Sequence, residues 1–220
     1  NGSYTHAGSV SYKLVDTEGS PEEGKLKAKV EELEAKLAVA TAGTTTVECN
    51  AENTGDSANG FYFDLCNSSD SKYLEVVAVS AMKHTSDAVD ATLYACKMGK
   101  CDAHETNAAE WNEVASASLE GESVLNQLML TKPVLIPPGK EVGFFLHNPQ
   151  STEGIACTGS HDNSSAARDD NMTIRPWYYS NDASAFNSHN NGSYTHAGSV
   201  SYKLVDTELS LIHISEPTRR

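Results

Sequence analysis

The sequence predicts a mainly β protein, a two-sheet antiparallel β-sandwich with an N-terminal helical spacer. Three observations lead there. Short runs rich in aromatic and β-branched residues follow one another from Thr44 onward, clusters of Asn, Asp, Ser, Gly and Pro divide them, and a single stretch of the 220 residues has helical periodicity.

Taken in order, residues 1–18, NGSYTHAGSVSYKLVDTE, recur without a change at residues 191–208. The two copies lie much further apart than the units of a solenoid. They read as the ends of whole domains strung in tandem, with residues 1–18 the terminal strand segment of a preceding repeat. A start at Asn1, without a Met, fits a piece of a longer protein. Residues 19–43 read as a helical linker. Ser20 caps it, Pro21 suits the first helical position and Glu23 closes a capping box. Leu26, Val30, Leu33 and Leu37 then form an a/d stripe of about two heptads, too short for a stable free coiled coil but suited to a stiff spacer packed against its own or the next domain.

Residues 44–208 are the β-sandwich domain. Its strand-like runs are Gly60–Cys66, Tyr73–His84, Ala91–Met98, Trp111–Leu119, Val124–Leu130, Val134–Ile136, Glu141–His147, Ile155–Thr158, Met172–Tyr179 and Ser199–Val205. In SVSYKLV the alternation places Val200, Tyr202 and Leu204 on one face. Residues 209–220 look foreign to the domain, because Leu209–Arg219 resembles a translated sequencing adapter. The acidic balance survives removal of this tail, which holds Arg219 and Arg220 against one acid, Glu216.

Charge and motifs narrow the function classes. Sixteen basic against 30 acidic residues give a net charge of −14, which repels nucleic acid and anionic membrane surfaces. No apolar run is long enough for membrane insertion. GxSxG, HExxH and phosphate-binding glycine loops are absent, so the motif content is that of a non-enzyme, with Asp64, Glu75 and Glu141 the obvious strand carboxylates. The five cysteines include no CxxC pair, which argues against zinc. Cys96 and Cys101 flank KMGK at a hairpin-like spacing and are expected to form a disulfide; Cys49 with Cys66 is the next expected pair, leaving Cys157 over. Glycosylation sequons at Asn1, Asn67, Asn163, Asn171 and Asn191 join these bridges in pointing to a secreted protein of the cell surface or extracellular matrix. No cofactor is implied. Asp162, Asp169 and Asp170, beside His161, are the candidate oxygen ligands for calcium, and Asp102, His104 and Glu105 form a second polar cluster. Trp177, Tyr178 and Tyr179 are the candidate glycan-binding aromatics.

NGFYFDL, Trp111, PVLIPPGKEVGFFL, DDNMTI at Asp169–Ile174 and the closing AGSVSYKLV together resemble the landmarks of a broad extracellular β-sandwich repeat. That repeat occurs in secreted proteins of diatoms, other stramenopile algae and some bacteria. The resemblance covers about residues 45–206 and implies a surface or matrix module, with no functional residue to carry over. The expected function is therefore a structural repeat module of a secreted, glycosylated surface filament or extracellular matrix protein, whose partners are copies of itself. The alternative is a carbohydrate-binding adhesion module with glycan partners.

Overall fold

A computed structural model describes residues 43–49, 56–87, 89–150, 154–160, 167–192 and 194–206, together with Lys25 and Lys29; residues 158–160 are described by backbone alone. The chain divides into two units, residues 1–43 and 44–220. Lys25 and Lys29 are helical and exposed, and the rest of the linker helix expected over 19–43 lies outside the described residues, as do the repeated segment 1–18 and the tail 209–220.

The second unit is mainly β and antiparallel throughout its named ladders. Where two sheets were expected, the strands form three. The four-stranded sheet holds β1 (Thr45–Cys49), β14 (Gly198–Val205), β4 (Tyr73–Met82) and β7 (Leu125–Ile136), in that order across the sheet. The seven-stranded sheet runs β10 (Ala167–Arg168), β11 (Met172–Ser180), β3 (Gly60–Asn67), β8 (Glu141–His147), β5 (Val89–Cys96) and β6 (Trp111–Leu119), with β12 (Asn190–Asn191) also on β11. A small sheet of β13 (Tyr194–His196), β9 (Ile155–Ser160) and β2 (Asp56–Ala58) completes the unit.

One hydrophobic cluster joins the two larger sheets. Val47, Leu74, Val76, Val79, Leu128, Val200 and Tyr202 come from the first, and Phe61, Phe63, Leu65, Leu93, Phe144, Leu146 and Ile174 from the second. These are alternate residues of their strands, as expected for sheets that each bury one face, except in β4, where the irregularity between Val76 and Ala78 moves the next inward residue to Val79. The chain crosses from the small sheet to the four-stranded one at Ala197, whose N–H donates to Ala156 O at 2.8 Å while its carbonyl accepts from Met82 N at 3.0 Å.

The runs Val124–Leu130 and Val134–Ile136, expected as two strands, are the single β7. Val134 pairs with Val76 and Met129 with Ala78, so residues 130–133 arch out of the ladder opposite one residue of β4. Pro133 is tolerated there because β7 is an edge strand and the arch needs no ladder donor. Thr131 Oγ1 donates to Val114 O on β6 at 3.1 Å, tying the two large sheets together at that edge.

Candidate functional site

Strand β3 is buried on both faces. While Phe61, Phe63 and Leu65 point into the shared core, Tyr62, Asp64 and Cys66 lie on the outer face of the seven-stranded sheet. Register then assembles a cluster around them. Asp64 stands opposite Gly143 on β8 and Arg175 on β11, and Cys66 stands opposite Glu141. Pro176 pairs with Phe63 and Tyr178 with Tyr62, so Trp177 is the extra residue of a β-bulge, which swings its indole over the face. Trp177 Nε1 donates to Asp64 Oδ2.

The loop between β5 and β6 closes over this face. Cys101 N donates to Asp64 Oδ1 at 2.8 Å, and Tyr62 Oη donates to Glu105 O at 3.0 Å. The loop lies this close because residue 143 is glycine: a Cβ there would stand 2.6 Å from Cys101 N. Tyr62 stacks on Phe145 with centroids 3.8 Å apart, Trp111 Nε1 donates to His104 O at 2.8 Å, and His189 lies 4.6 Å from the Tyr178 ring.

Burial pushes the Asp64 carboxyl above its ordinary value, against the pull of the Cys101 and Trp177 donors. Arg175 does not relieve it, since Arg175 Nη1 pairs with Glu141 Oε2 at 2.9 Å. With 0% exposure, Asp64 is sealed from any substrate, and its chemistry is to fasten the loop and the bulge to β3. Cys66 donates to Glu141 Oε2 at 3.4 Å, and burial pushes its thiol up to about 12, leaving little thiolate for reaction.

The three candidate glycan aromatics do not form one platform. Trp177 and Tyr178 are half-buried against the outer cluster, but Tyr179 packs on the opposite side against the shared core. There it meets Tyr194 edge to face at 5.2 Å and, with Asp56, Ser57, Phe61 and Cys157, lines a cleft of about 150 Å³.

The expected disulfides are corrected: Cys96 is not bridged to Cys101, nor Cys49 to Cys66. The Cys101 thiol donates to Phe63 O and Phe144 O at 3.5 and 3.6 Å, over β3 and β8, while Cys96 ends β5 beyond them. Cys49 sits in the shared core and Cys66 on the outer face, with the seven-stranded sheet between them. Asn67 is corrected as a glycosylation site too. It is buried, its Nδ2 donates to Lys72 O at 2.9 Å and Ile136 O at 2.8 Å, and a glycan on that nitrogen would take the place of one of its two donor hydrogens inside the fold. Asn191 is exposed on β12 and Asn171 is half-buried, whereas Asn1 and Asn163 lie outside the described residues.

Asp169 is a turn residue. Its Oδ1 accepts from Asn171 N and Met172 N at 2.8 Å each, and its Oδ2 from Tyr202 Oη at 2.7 Å, so no free oxygen is set aside for calcium. Asp170 is exposed and Asp162 lies outside the described residues. In the second cluster, Asp102 pairs with Lys100 at 2.8 Å, His104 with Glu110 at 2.5 Å, and Glu105 accepts from Ala103 N at 3.2 Å. Among the described residues no group of three or more His, Cys, Asp or Glu is placed to hold a metal ion, and no helix is long and apolar enough to cross a membrane.

Sequence reasoning missed His196. It is fully buried, tilted against Phe63 at 5.0 Å, and neither ring nitrogen has a hydrogen-bond partner. Burial holds its pKa down to about 4, with the Ser80 backbone acting weakly the other way.

No protein-family model matches the chain, and no curated protein matches it. Among solved structures, the chain is similar to one from the Gx strain of infectious bursal disease virus, at 9% identity and a TM-score of 0.23 over 74% of this chain and 32% of that one. This chain thus spans about a third of the viral chain's length, and at that TM-score the likeness carries no argument.

Proposed function

We propose that the chain is a structural repeat module of a secreted, glycosylated surface filament or extracellular matrix protein. In this reading the four- and seven-stranded sheets face each other as a β-sandwich, and helical spacers over residues 19–43 join successive units. One observation carries the reading. The segment that recurs at residues 1–18 supplies, at residues 191–208, the strands β13 and β14, and β14 is an interior strand of its sheet. A sheet lacking an interior strand is not a stable unit, so a second copy of that strand's sequence is best understood as the end of another domain. Identical modules at fixed spacing suit a polymer that presents the same faces many times.

A long-read sequence of the native transcript across the codon for Glu208 tests this. The expected result is GSPEEGKL followed by another similar domain. Termination there, or unrelated sequence, would end the repeat reading. A second reading, a carbohydrate-binding module, is favoured by the tyrosine cleft beside Asp56. It requires saturable glycan binding by the purified chain that Tyr179→Ala abolishes without unfolding it.

A further inference from the structure

We infer that the slot filled by β14, between β1 and β4, also accepts residues 4–15 of a second copy of the chain, so that copies associate by strand exchange. The inference rests on the repeat reading above, and it names the surface through which modules meet.

The slot is demanding. β14 is hydrogen-bonded on both sides, to β4 from Gly198 to Val205 and to β1 from Gly198 to Tyr202. Val200 and Tyr202 are fully buried, Tyr202 Oη reaches Asp169, and Ser201 Oγ lies 2.9 Å from Thr46 Oγ1. At Gly198 a Cβ would stand 1.8 Å from Ser80 O, a backbone atom that cannot move aside, so the slot takes glycine at that register and nothing larger. Residues 4–15 meet every requirement. Gly8, Val10, Ser11 and Tyr12 repeat Gly198, Val200, Ser201 and Tyr202, and no neighbour differs.

Because both strands offer identical contacts, exchange changes no contact energy. The chain's own strand wins at low concentration through its tether, and the second copy's strand takes over wherever the first is blocked or withdrawn. A second copy is the favoured donor over the same chain for a geometric reason. Residue 15, in the place of Val205, would have to return to Thr45 beside Tyr202. The helix expected from the sequence over residues 20–41 would be about 33 Å long, and the short arms flanking it would reach back that far only at full stretch. Another molecule meets no such limit.

The test uses the full chain with Gly198→Val, which bars its own strand from the slot and leaves Gly8 untouched. The expected result is a protein with the wild-type near-ultraviolet circular dichroism that sediments at twice the wild-type mass or more. Adding Gly8→Val to it abolishes both assembly and fold. Three results would overturn the inference: a Gly198→Val chain that folds as a monomer, one that stays unfolded at every concentration, or a double variant that still assembles. The transcript decides the array separately, so an array without exchange remains distinguishable from no array.

Discussion

His196 is a titratable group that the fold holds neutral by burial. Burial of an imidazolium at this site, offset only in part by the Ser80 backbone, is why its pKa falls from the ordinary 6.5 to about 4. The folded pKa lies below the unfolded one, so the unfolded chain binds the extra proton as the solution is acidified. The stability tied to neutral His196 is complete above about pH 6.5 and is lost as pH falls towards the folded value, amounting to about 3 kcal/mol by pH 4. Urea unfolding at pH 7 and pH 4 should show this loss in the wild type and a much smaller one in His196→Phe. Equal slopes for the two proteins would refute it. Nothing in YTHAGSV marked this histidine, since its burial comes from the small sheet folding over Phe63, a contact between residues far apart in sequence. Asp64 was visible as a strand carboxylate in FYFDL. Its partners, the Cys101 amide and the bulged Trp177, were not, because register and bulges depend on the neighbouring strands.

At the scale of elements, runs of aromatic and β-branched residues located the longer strands closely. Trp111–Leu119 and Glu141–His147 are strands with those very limits. The strands that escaped notice, β1, β2, β10, β12 and β13, are short, and TTVEC, DSA, AR, NN and YTH owe their pairing to the ladder beside them and not to their own propensity. The Cys49–Cys66 expectation failed for a related reason: the sequence does not say which face of the sheet each thiol occupies. β1 is an edge strand of five residues, and β14 beside it is held on both sides. Amides of β1 should therefore exchange with deuterium well before those of β14, as measured by native-state hydrogen exchange, and equal protection would contradict the strand order.

For the whole molecule, composition announced an acidic, mainly β chain, and the core joining the two large sheets agrees with it. Of the third sheet only β9 was legible, as the run Ile155–Thr158; its partners β2 and β13 are segments of three residues each whose pairing is set by chain reversals. One feature of the ladder bears on how such a unit behaves under load. Thr45 lies beside Tyr202, so the chain enters on β1 and leaves on β14 at the same end of the sheet. Tension applied through both ends would pull these strands apart sideways, breaking their hydrogen bonds one after another, where a shearing geometry would load them all together. Each module should then yield at low force by releasing β1 first, with the rest of the sheet intact, and optical-tweezers extension of the chain held near residues 44 and 206 would register that as a short early step. Joined in series as proposed, such units would make a compliant tether that lengthens gently and recovers, unlike an inextensible cable.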